Sequence, residues 1–268
     1  MQRPFVETAS TAAPRGGGVT IKSPQELELM RRAGAIVGHV LRLLIDETRP
    51  GVRTKDLDAL AAREIKRMGG KLTFKGYRGF PATICASINE EIVHGIPGDR
   101  VVKEGDLLKL DVGATYEGFV GDAAVTVAVG KVSREAQDLL DTTRQSLEEG
   151  IKAARDGAHT GDIGWAVQRY AEAKGYGVVR EYVGHGVGRA LHEDPQIANY
   201  GTPGRGPLLR KGMTIAIEPM LNIGTWQTKV LDNNWTVVTA DGKLSSHFEH
   251  TIAITENGPE VLTRYDRN

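Results

Sequence analysis

Apolar residues recur at three- and four-residue steps in two segments of the first half of the chain, which is the spacing of amphipathic helices. Ahead of the first segment, Ser23 and Pro24 stand in the order of an N-cap and a first helical position. This helix is predicted to end near Arg49, and the second segment ends at two consecutive glycines, 69–70. The pattern then changes to one typical of strands.

Strands are predicted over 107–111 and 123–129, and the second half of the chain repeats the whole order. Ser133 is suited to cap a third helix, and a fourth helical segment follows it. Two further short strands are predicted over 213–217 and 251–254. This repetition is what an internal duplication would produce.

Three short motifs support the duplication, because they occur in the same order in both halves. Each half has a His-Gly pair, an acid at the end of one strand and an acid at the start of the next. The first half supplies His94-Gly95, Asp111 and Asp122, and the second supplies His185-Gly186, Glu218 and Glu249. We therefore expect two similar lobes, of about residues 23–130 and 133–265, that face each other across a cleft and bring four carboxylates together.

One domain over 23–268 accommodates both lobes, and its mixture of helices and strands predicts an α+β fold. Residues 1–22 are rich in Ala, Thr, Gly and Pro and include three consecutive glycines. Such a composition does not favour a packed element, so we predict a flexible N-terminal arm.

Composition excludes several classes of protein. The chain of 268 residues has 34 Lys+Arg against 34 Asp+Glu, so no excess charge favours nucleic acid or an anionic membrane. The single cysteine, Cys85, forms neither an internal disulfide nor a cysteine zinc cluster. No apolar run has the length of a signal peptide or a membrane span. We expect a soluble protein of a reducing cytoplasm, with no membrane and no specific nucleic acid as partner.

Four ionised carboxylates in one site would repel one another unless cations balance them. Two divalent metal ions balance Asp111, Asp122, Glu218 and Glu249, and the neutral imidazole of His185 adds a nitrogen ligand. A shell of this kind suits Mn, Fe, Co or Zn, and the reaction class it indicates is hydrolysis. A single acid at a strand end is more often a solvated turn residue. The symmetric set of four makes the metal interpretation the stronger one.

The segments SINEEIVHGIP at 87–97, DVG at 111–113, GDAA at 121–124, GHGVG at 184–188, IEPM at 217–220 and EHT at 249–251 resemble those of type I methionine aminopeptidases, in their bacterial form. The resemblance runs from about Ser23 to Leu262. It implies the pseudo-symmetric, two-lobed pita-bread fold of the creatinase and aminopeptidase families, with antiparallel sheet and flanking helices.

The resemblance also implies a role for each matching residue. Asp111 would bind one metal, His185 and Glu218 the other, and Asp122 and Glu249 both. His94 would assist proton transfer at the scissile amide nitrogen, His192 would bind the substrate carbonyl oxygen, and Glu218 would also accept a proton.

The methionine pocket of the family is matched by Tyr77, Phe80, Cys85 and Trp235. Phe80 stands where Tyr is expected, and Leu191 stands where Phe is expected, which puts the width of the pocket in question. For the three aromatic residues, core packing is the alternative interpretation. The resemblance further suggests a monovalent cation, Na⁺ or K⁺, held by main-chain carbonyls near Asn89, Glu91 and Ser245.

The implied function is removal of the initiator methionine from nascent polypeptides at the ribosome, by a monomer, when the second residue is small and uncharged. One alternative is another dinuclear peptidase of this fold, with a preference for Xaa-Pro. The short stretch of about 70 residues before the first strands counts against it. A second alternative is a non-catalytic module that binds peptides, nucleosomes or ribosomal RNA, and the complete set of ligands counts against that.

Overall fold

Residues 18–265 of the computed structural model form four helices, one short 3-10 helix and fifteen strands. The helices are α1 (Pro24–Glu47), α2 (Thr54–Arg67), α3 (Arg134–Ala153) and α4 (Thr160–Ala173), with the 3-10 helix at Tyr77–Gly79. The strands are β1 (Lys71–Leu72), β2 (Ile84–Ile88), β3 (Glu91–Val93), β4 (Leu107–Tyr116), β5 (Phe119–Ala128), β6 (Gly177–Val178), β7 (Gly184–Gly186), β8 (Glu193–Ile197), β9 (Thr214–Ile217), β10 (Met220–Asn222), β11 (Thr228–Val230), β12 (Val237–Thr239), β13 (Ser245–His247), β14 (His250–Thr255) and β15 (Gly258–Val261). Within this part of the chain, no helix has the length and apolar character needed to cross a bilayer.

Cap hydrogen bonds confirm the predicted helix starts. The Ser23 hydroxyl accepts from the main-chain N–H of Glu26, whose carboxylate in turn accepts from the N–H of Ser23, so α1 begins with a capping box. The Ser133 hydroxyl accepts a main-chain N–H in the first turn of α3. Helix α1 ends at Glu47, two residues before the predicted end at Arg49.

The first main sheet is built around β4, which pairs with β5 along one edge and with β2 and β1 along the other. All ten residues of β4 pair antiparallel with β5. The predicted strand over 107–111 ended too early, because Glu117 and Gly118 take left-handed conformations, with φ of 45° and 84°, and allow a tight hairpin. As a result Asp111 and Asp122 lie inside these strands, and not at their ends as the sequence suggested.

The second main sheet has the strand order β15-β14-β9-β7-β8. Here Glu218 follows β9 directly and Glu249 immediately precedes β14, as predicted. Two three-stranded sheets, β13-β10-β6 and β11-β12-β3, complete the strands. Since β3 belongs to the first half and β12 to the second, the two halves share a sheet.

The two main sheets are joined directly between β5 and the start of β14. Ala124 and Glu249 exchange two main-chain hydrogen bonds, of 3.3 and 2.9 Å. Beside them, the Thr251 hydroxyl donates to the carbonyl of Asp122 and accepts from its N–H. This junction places Asp122 and Glu249 on adjacent main chains, at the centre of the molecule.

Helices cover the outer faces of these sheets. Helix α1 packs on β4 and β5, while α3 packs against α4 and against strands of the second half. One hydrophobic cluster contains buried residues of both halves, including Leu41, Leu110, Leu147 and Ile215. The α+β class is thus built as two halves with the same order of helices and strands over a shared core.

Only residues 18–22 of the predicted N-terminal arm lie in the described part of the chain. Lys22 is buried, and its ammonium lies 2.8 Å from a carboxylate oxygen of Glu193. Its main-chain N–H also donates to the carbonyl of Gly212. Lys22, which the prediction placed in the arm, is therefore bound to the second half by its side chain and its main chain. The rest of the predicted arm lies outside the described residues.

Candidate metal centre

One cavity between the two halves collects all the site residues that the sequence singled out. It is lined by the five predicted metal ligands, the two further histidines and the four predicted pocket residues. These are Asp111, Asp122, His185, Glu218, Glu249, His94, His192, Tyr77, Phe80, Cys85 and Trp235.

The first half contributes Asp111 and Asp122 from one face of its sheet. The register pairs Asp111 with Ala124 and Asp122 with Gly113, so the two acids lie on neighbouring strands, two residues apart. Cys85 is paired with Asp111 across β2 and β4, so both side chains leave the same face of the sheet.

The second half contributes His185, Glu218 and Glu249. The Nδ1 atom of His185 lies 2.9 Å from the carbonyl of Gly186, to which it can donate. Its Nε2 then faces the acids, 3.8 Å from Oδ2 of Asp122 and 3.5 Å from Oε1 of Glu218. The ligand atoms of Asp122, His185 and Glu249 all lie within 4.8 Å of one another. A histidine whose second nitrogen is held by a carbonyl is the usual arrangement of a metal ligand.

His94 and His185 are each followed by a glycine, because a neighbouring main chain leaves no room for a side chain there. A Cβ atom on Gly95 would lie 2.4 Å from the carbonyl oxygen of Ala86, and one on Gly186 would lie 2.2 Å from that of Asp194. Each glycine thus permits a neighbouring main chain to approach beside the histidine. His94 itself has a φ of 60°, which is costly for a residue with a side chain and occurs preferentially at functional sites.

Electrostatic repulsion between the acids is visible in their pKa values. Burial raises the pKa of Asp111 to about 7. Burial and the carboxylate of Asp111 raise the pKa of Asp122 well above its usual value, and burial together with Asp122, Glu218 and Asp111 does the same to Glu249. Burial lowers the pKa of His185 to about 4, so its imidazole is neutral at pH 7.

These residues fit divalent metal ions. One oxygen each of Asp111, Asp122 and Glu249 is buried without a hydrogen-bond partner among residues 18–265. In the same part of the chain, no Lys or Arg side chain forms an ion pair with any of the three. Buried acids without a cationic partner are unstable as anions, whereas hard and borderline divalent ions bind this set of oxygens and one imidazole.

His192 and Tyr77 form a pair beside the acids. The Tyr77 hydroxyl lies 2.8 Å from Nδ1 of His192, and the two rings stack with centroids 5.5 Å apart. The His192 ring lies 4.3 Å from that of His185. Burial and the neighbouring His185 lower the pKa of His192 far below its usual value, so this ring too is neutral. Tyr77, predicted only as a pocket residue, therefore also orients His192.

Apolar side chains also line the cavity. Phe80 and Trp235 meet edge to face with centroids 5.1 Å apart, and Phe80, Cys85 and Leu191 are each about 4% exposed. Phe74 and Val93 add further apolar surface. Both readings of the aromatic residues are thus compatible with the fold, because Phe80 packs in a hydrophobic cluster and lines the cavity at once.

Sequence reasoning missed His247 and Tyr182, which also line the cavity. The Nε2 atom of His247 lies 3.8 Å from Oε2 of Glu218, and burial lowers the pKa of the ring to about 3. The Tyr182 ring lies 5.8 Å from that of His94. His247 stands two positions before Glu249, so the alternation of a strand could have indicated that both face the same side.

The predicted monovalent cation is contradicted by a lysine. The Nζ atom of Lys109 lies 2.7 Å from the carbonyl oxygen of Asn89 and 3.2 Å from that of Ser245. These are two of the three residues near which the ion was expected. An alkali ion bound to the same oxygens would coincide with the ammonium group, so the residues present do not fit it. The side-chain carboxylate of the third residue, Glu91, pairs with Arg100 and accepts from the N–H of Ile88.

Comparison with known proteins gives a consistent family. Residues 28–256 match metallopeptidase family M24. Over 246 residues the chain is 52% identical to a methionine aminopeptidase of Clostridium acetobutylicum, covering 91% of this chain and 98% of that one. The crystal structure of the Thermotoga maritima methionine aminopeptidase superposes with a TM-score of 0.91 at 49% identity, covering 92% of this chain and all of that one. A prolidase of Pyrococcus furiosus, 24% identical, shares the fold with a TM-score of 0.76, and the match covers 92% of this chain and 66% of the prolidase.

The raised pKa values predict that the metal-free protein loses stability as the pH rises. Asp122 and Glu249 hold their protons more strongly in the folded state than in the unfolded chain, so the free energy of unfolding falls as the pH rises. The slope is at most about 1.4 kcal/mol per pH unit for each of these carboxyl groups. Urea unfolding of chelator-treated protein between pH 7 and 8.5 measures it, above the range in which His185 titrates.

Saturating Co²⁺ should flatten this dependence, since binding removes the protons. The variant Asp122→Asn should reduce the slope of the metal-free protein, because the amide does not ionise. Equal slopes with and without Co²⁺ would contradict the prediction.

Proposed function

The chain belongs to metallopeptidase family M24 and, within it, to the methionine aminopeptidases, and on that premise we propose that it removes an N-terminal methionine when the second residue is small and uncharged. The observation that carries this proposal is one cavity whose lining combines two kinds of residue. Four carboxylates and a neutral imidazole line it together with apolar and aromatic side chains. A site of this shape can act on a main-chain amide beside a buried thioether side chain.

Two divalent ions among Co, Mn, Fe and Zn would be held by Asp111, Asp122, His185, Glu218 and Glu249. Asp122 and Glu249 would serve both ions, since each is close to the other acids. When bound, such ions supply Lewis-acid activation of a water molecule and of the scissile carbonyl group.

The chain's own residues would then direct protons and orient the substrate. If the Tyr77 hydroxyl donates to Nδ1 of His192, the proton of that imidazole is on Nε2, which can donate to the substrate carbonyl oxygen. Glu218, between His185 and His247, is placed to accept a proton from water. His94 would assist proton transfer at the leaving nitrogen.

The methionine side chain would contact the apolar residues of the cavity. Phe80, Trp235 and Cys85 offer apolar contact, and the thioether sulfur favours the edges of aromatic rings. Leu191 is buried beside them and adds aliphatic surface where an aromatic residue was expected. A pocket of this kind selects by shape, and a bulky second residue would meet the cavity wall.

The natural substrates would be nascent polypeptides at the ribosome in the cytoplasm. The enzyme would act as a monomer, and one chain supplies all the proposed ligands and pocket residues.

Release of the N-terminal amino acid from Met-Ala-Ser, Met-Leu-Ser and Ala-Pro peptides tests the proposed function. Protein treated with chelator should be inactive, and added Mn²⁺ or Co²⁺ should restore cleavage of Met-Ala-Ser alone. Cleavage of Ala-Pro in preference would indicate an Xaa-Pro peptidase. Absence of both cleavage and metal binding would indicate a non-catalytic module.

Asp122→Asn and Glu249→Gln should each lose one equivalent of bound metal and at least about a hundredfold of activity, because one shared ligand serves two ions. Metal content after gel filtration, measured beside turnover, tests this directly. The matched control is Asp138→Asn, an exposed acid on α3. Two bound ions with full turnover in either variant would refute the assignment.

His192→Ala should lower kcat about a hundredfold with little change in metal content, as expected for one lost donor to a developing oxyanion. Tyr77→Phe should have a smaller effect on kcat, because it removes only the hydroxyl that orients the ring. His39→Ala, on the surface of α1, is the control. An unchanged kcat in His192→Ala would exclude the proposed role.

A further inference from the structure

Lys109 is a buried lysine that the proposed chemistry does not use. It is the third residue of β4 and is 1% exposed. Its Nζ atom donates to three main-chain carbonyl oxygens, those of Asn89, Leu107 and Ser245, at 2.7, 3.4 and 3.2 Å. Three acceptors match the three N–H groups of an ammonium ion, whereas a neutral amine would offer only two.

This arrangement has the chemistry of a monovalent cation site. Main-chain carbonyl oxygens are the groups that replace the hydration shell of K⁺ in proteins. The ammonium group carries the same single positive charge and fills the same kind of position. Because the ammonium group is covalently attached to the chain, the site needs no ion from solution.

The three carbonyls come from both halves of the chain. Asn89 follows β2, Leu107 begins β4, and Ser245 begins β13 in the second half. The same segments are also bonded to one another, because the N–H of Ser245 donates to Asn89 and the N–H of Asn89 donates to Leu107. Lys109 thus lies at a further contact between the two halves, apart from the junction of β5 and β14.

The position of Lys109 relates it to the proposed metal ligands. It precedes Asp111 by two residues on one strand, so both side chains leave the same face of the sheet. Directly across from Lys109, the Thr126 hydroxyl bonds both the N–H and the carbonyl of His247. Strand β13 is therefore fastened at Ser245 and at His247, just before Glu249.

We propose that Lys109 is a built-in monovalent cation that holds β4 and β13 together and so positions Asp111 and Glu249. Lys109 is a positioning residue, since it acts through the strands and not on the substrate. The wild-type protein consequently does not require Na⁺ or K⁺. A variant without the ammonium group does require such a cation.

Two substitutions separate charge from packing. Lys109→Ser removes the ammonium and its stem and leaves the carbonyl oxygens around a space that an ion can enter. Lys109→Met removes the charge but fills much of the same space, and serves as the matched control. Each is compared with the wild-type protein in choline chloride and in KCl, NaCl or NH₄Cl of equal ionic strength.

In choline, we expect Lys109→Ser to show a kcat/KM for Met-Ala-Ser lower by about tenfold or more, the effect of losing an outer partner of metal ligands. Its thermal unfolding midpoint should also fall. K⁺, Na⁺ or NH₄⁺ should restore both in a saturable manner, whereas Lys109→Met should not respond. The wild-type protein should be indifferent to the exchange of cations. A merely structural role for the lysine stem would give no such selective rescue.

The proposal is overturned if wild-type activity or unfolding depends on K⁺ or Na⁺. It is also overturned if Lys109→Ser in choline equals the wild type, or if the Ser and Met variants respond alike. Should Lys109→Ser not fold in choline, its refolding yield in KCl against choline gives the same comparison. The activity arm rests on the proposed function, but the unfolding arm is measured on protein free of divalent metal and is decisive even if no peptide is cleaved.

Discussion

Two reciprocal main-chain hydrogen bonds between Ala124 and Glu249 are the constraint on which the centre of this molecule depends. They join a strand of the first half to a strand of the second, and they leave no freedom in the spacing of the acids on either side. Asp122 is held beside Glu249 because Thr251 bonds both main-chain groups of Asp122. The junction therefore determines that two carboxylates meet in a buried position, which no isolated half would enforce.

Bringing acids together in this way is unfavourable unless positive charge balances them. Neutral histidines surround the acids, and within residues 18–265 no Lys or Arg forms an ion pair with Asp111, Asp122 or Glu249. The acids are thus left without a cationic side chain to balance them, as a site for divalent metal ions requires. At a further contact between the halves the arrangement is the opposite, since the Lys109 side chain places its Nζ atom among main-chain carbonyl oxygens.

Much of the fold and of the site could be predicted from the sequence, because the signals are local. Ser23 and Ser133 mark helix starts through their own hydroxyls. The acids that recur in both halves are recognisable as metal ligands from their residue type alone. The role of Lys109 could not be predicted, because its partners are main-chain carbonyls, which no residue type reveals. His247 was missed for a related reason, since its neighbour is Glu218, distant in sequence. The strand containing Asp111 was predicted too short because the hairpin depends on a left-handed Glu117.

The strands that carry the acids pair in different registers in the two halves, yet all four acids face the cavity. In the second sheet Ile217 pairs with His250, and continuing that register by one residue sets Glu218 opposite Glu249. In the first sheet Asp111 pairs with Ala124, so Asp122 is displaced by two residues. A shift of two preserves the face of every side chain, whereas a shift of one would turn an acid away from the cavity. The place opposite Asp122 is left to Gly113, where a Cβ atom would lie 2.4 Å from the Phe74 ring. Gly113 thus leaves room for the Phe74 ring, which lines the cavity beside Asp122.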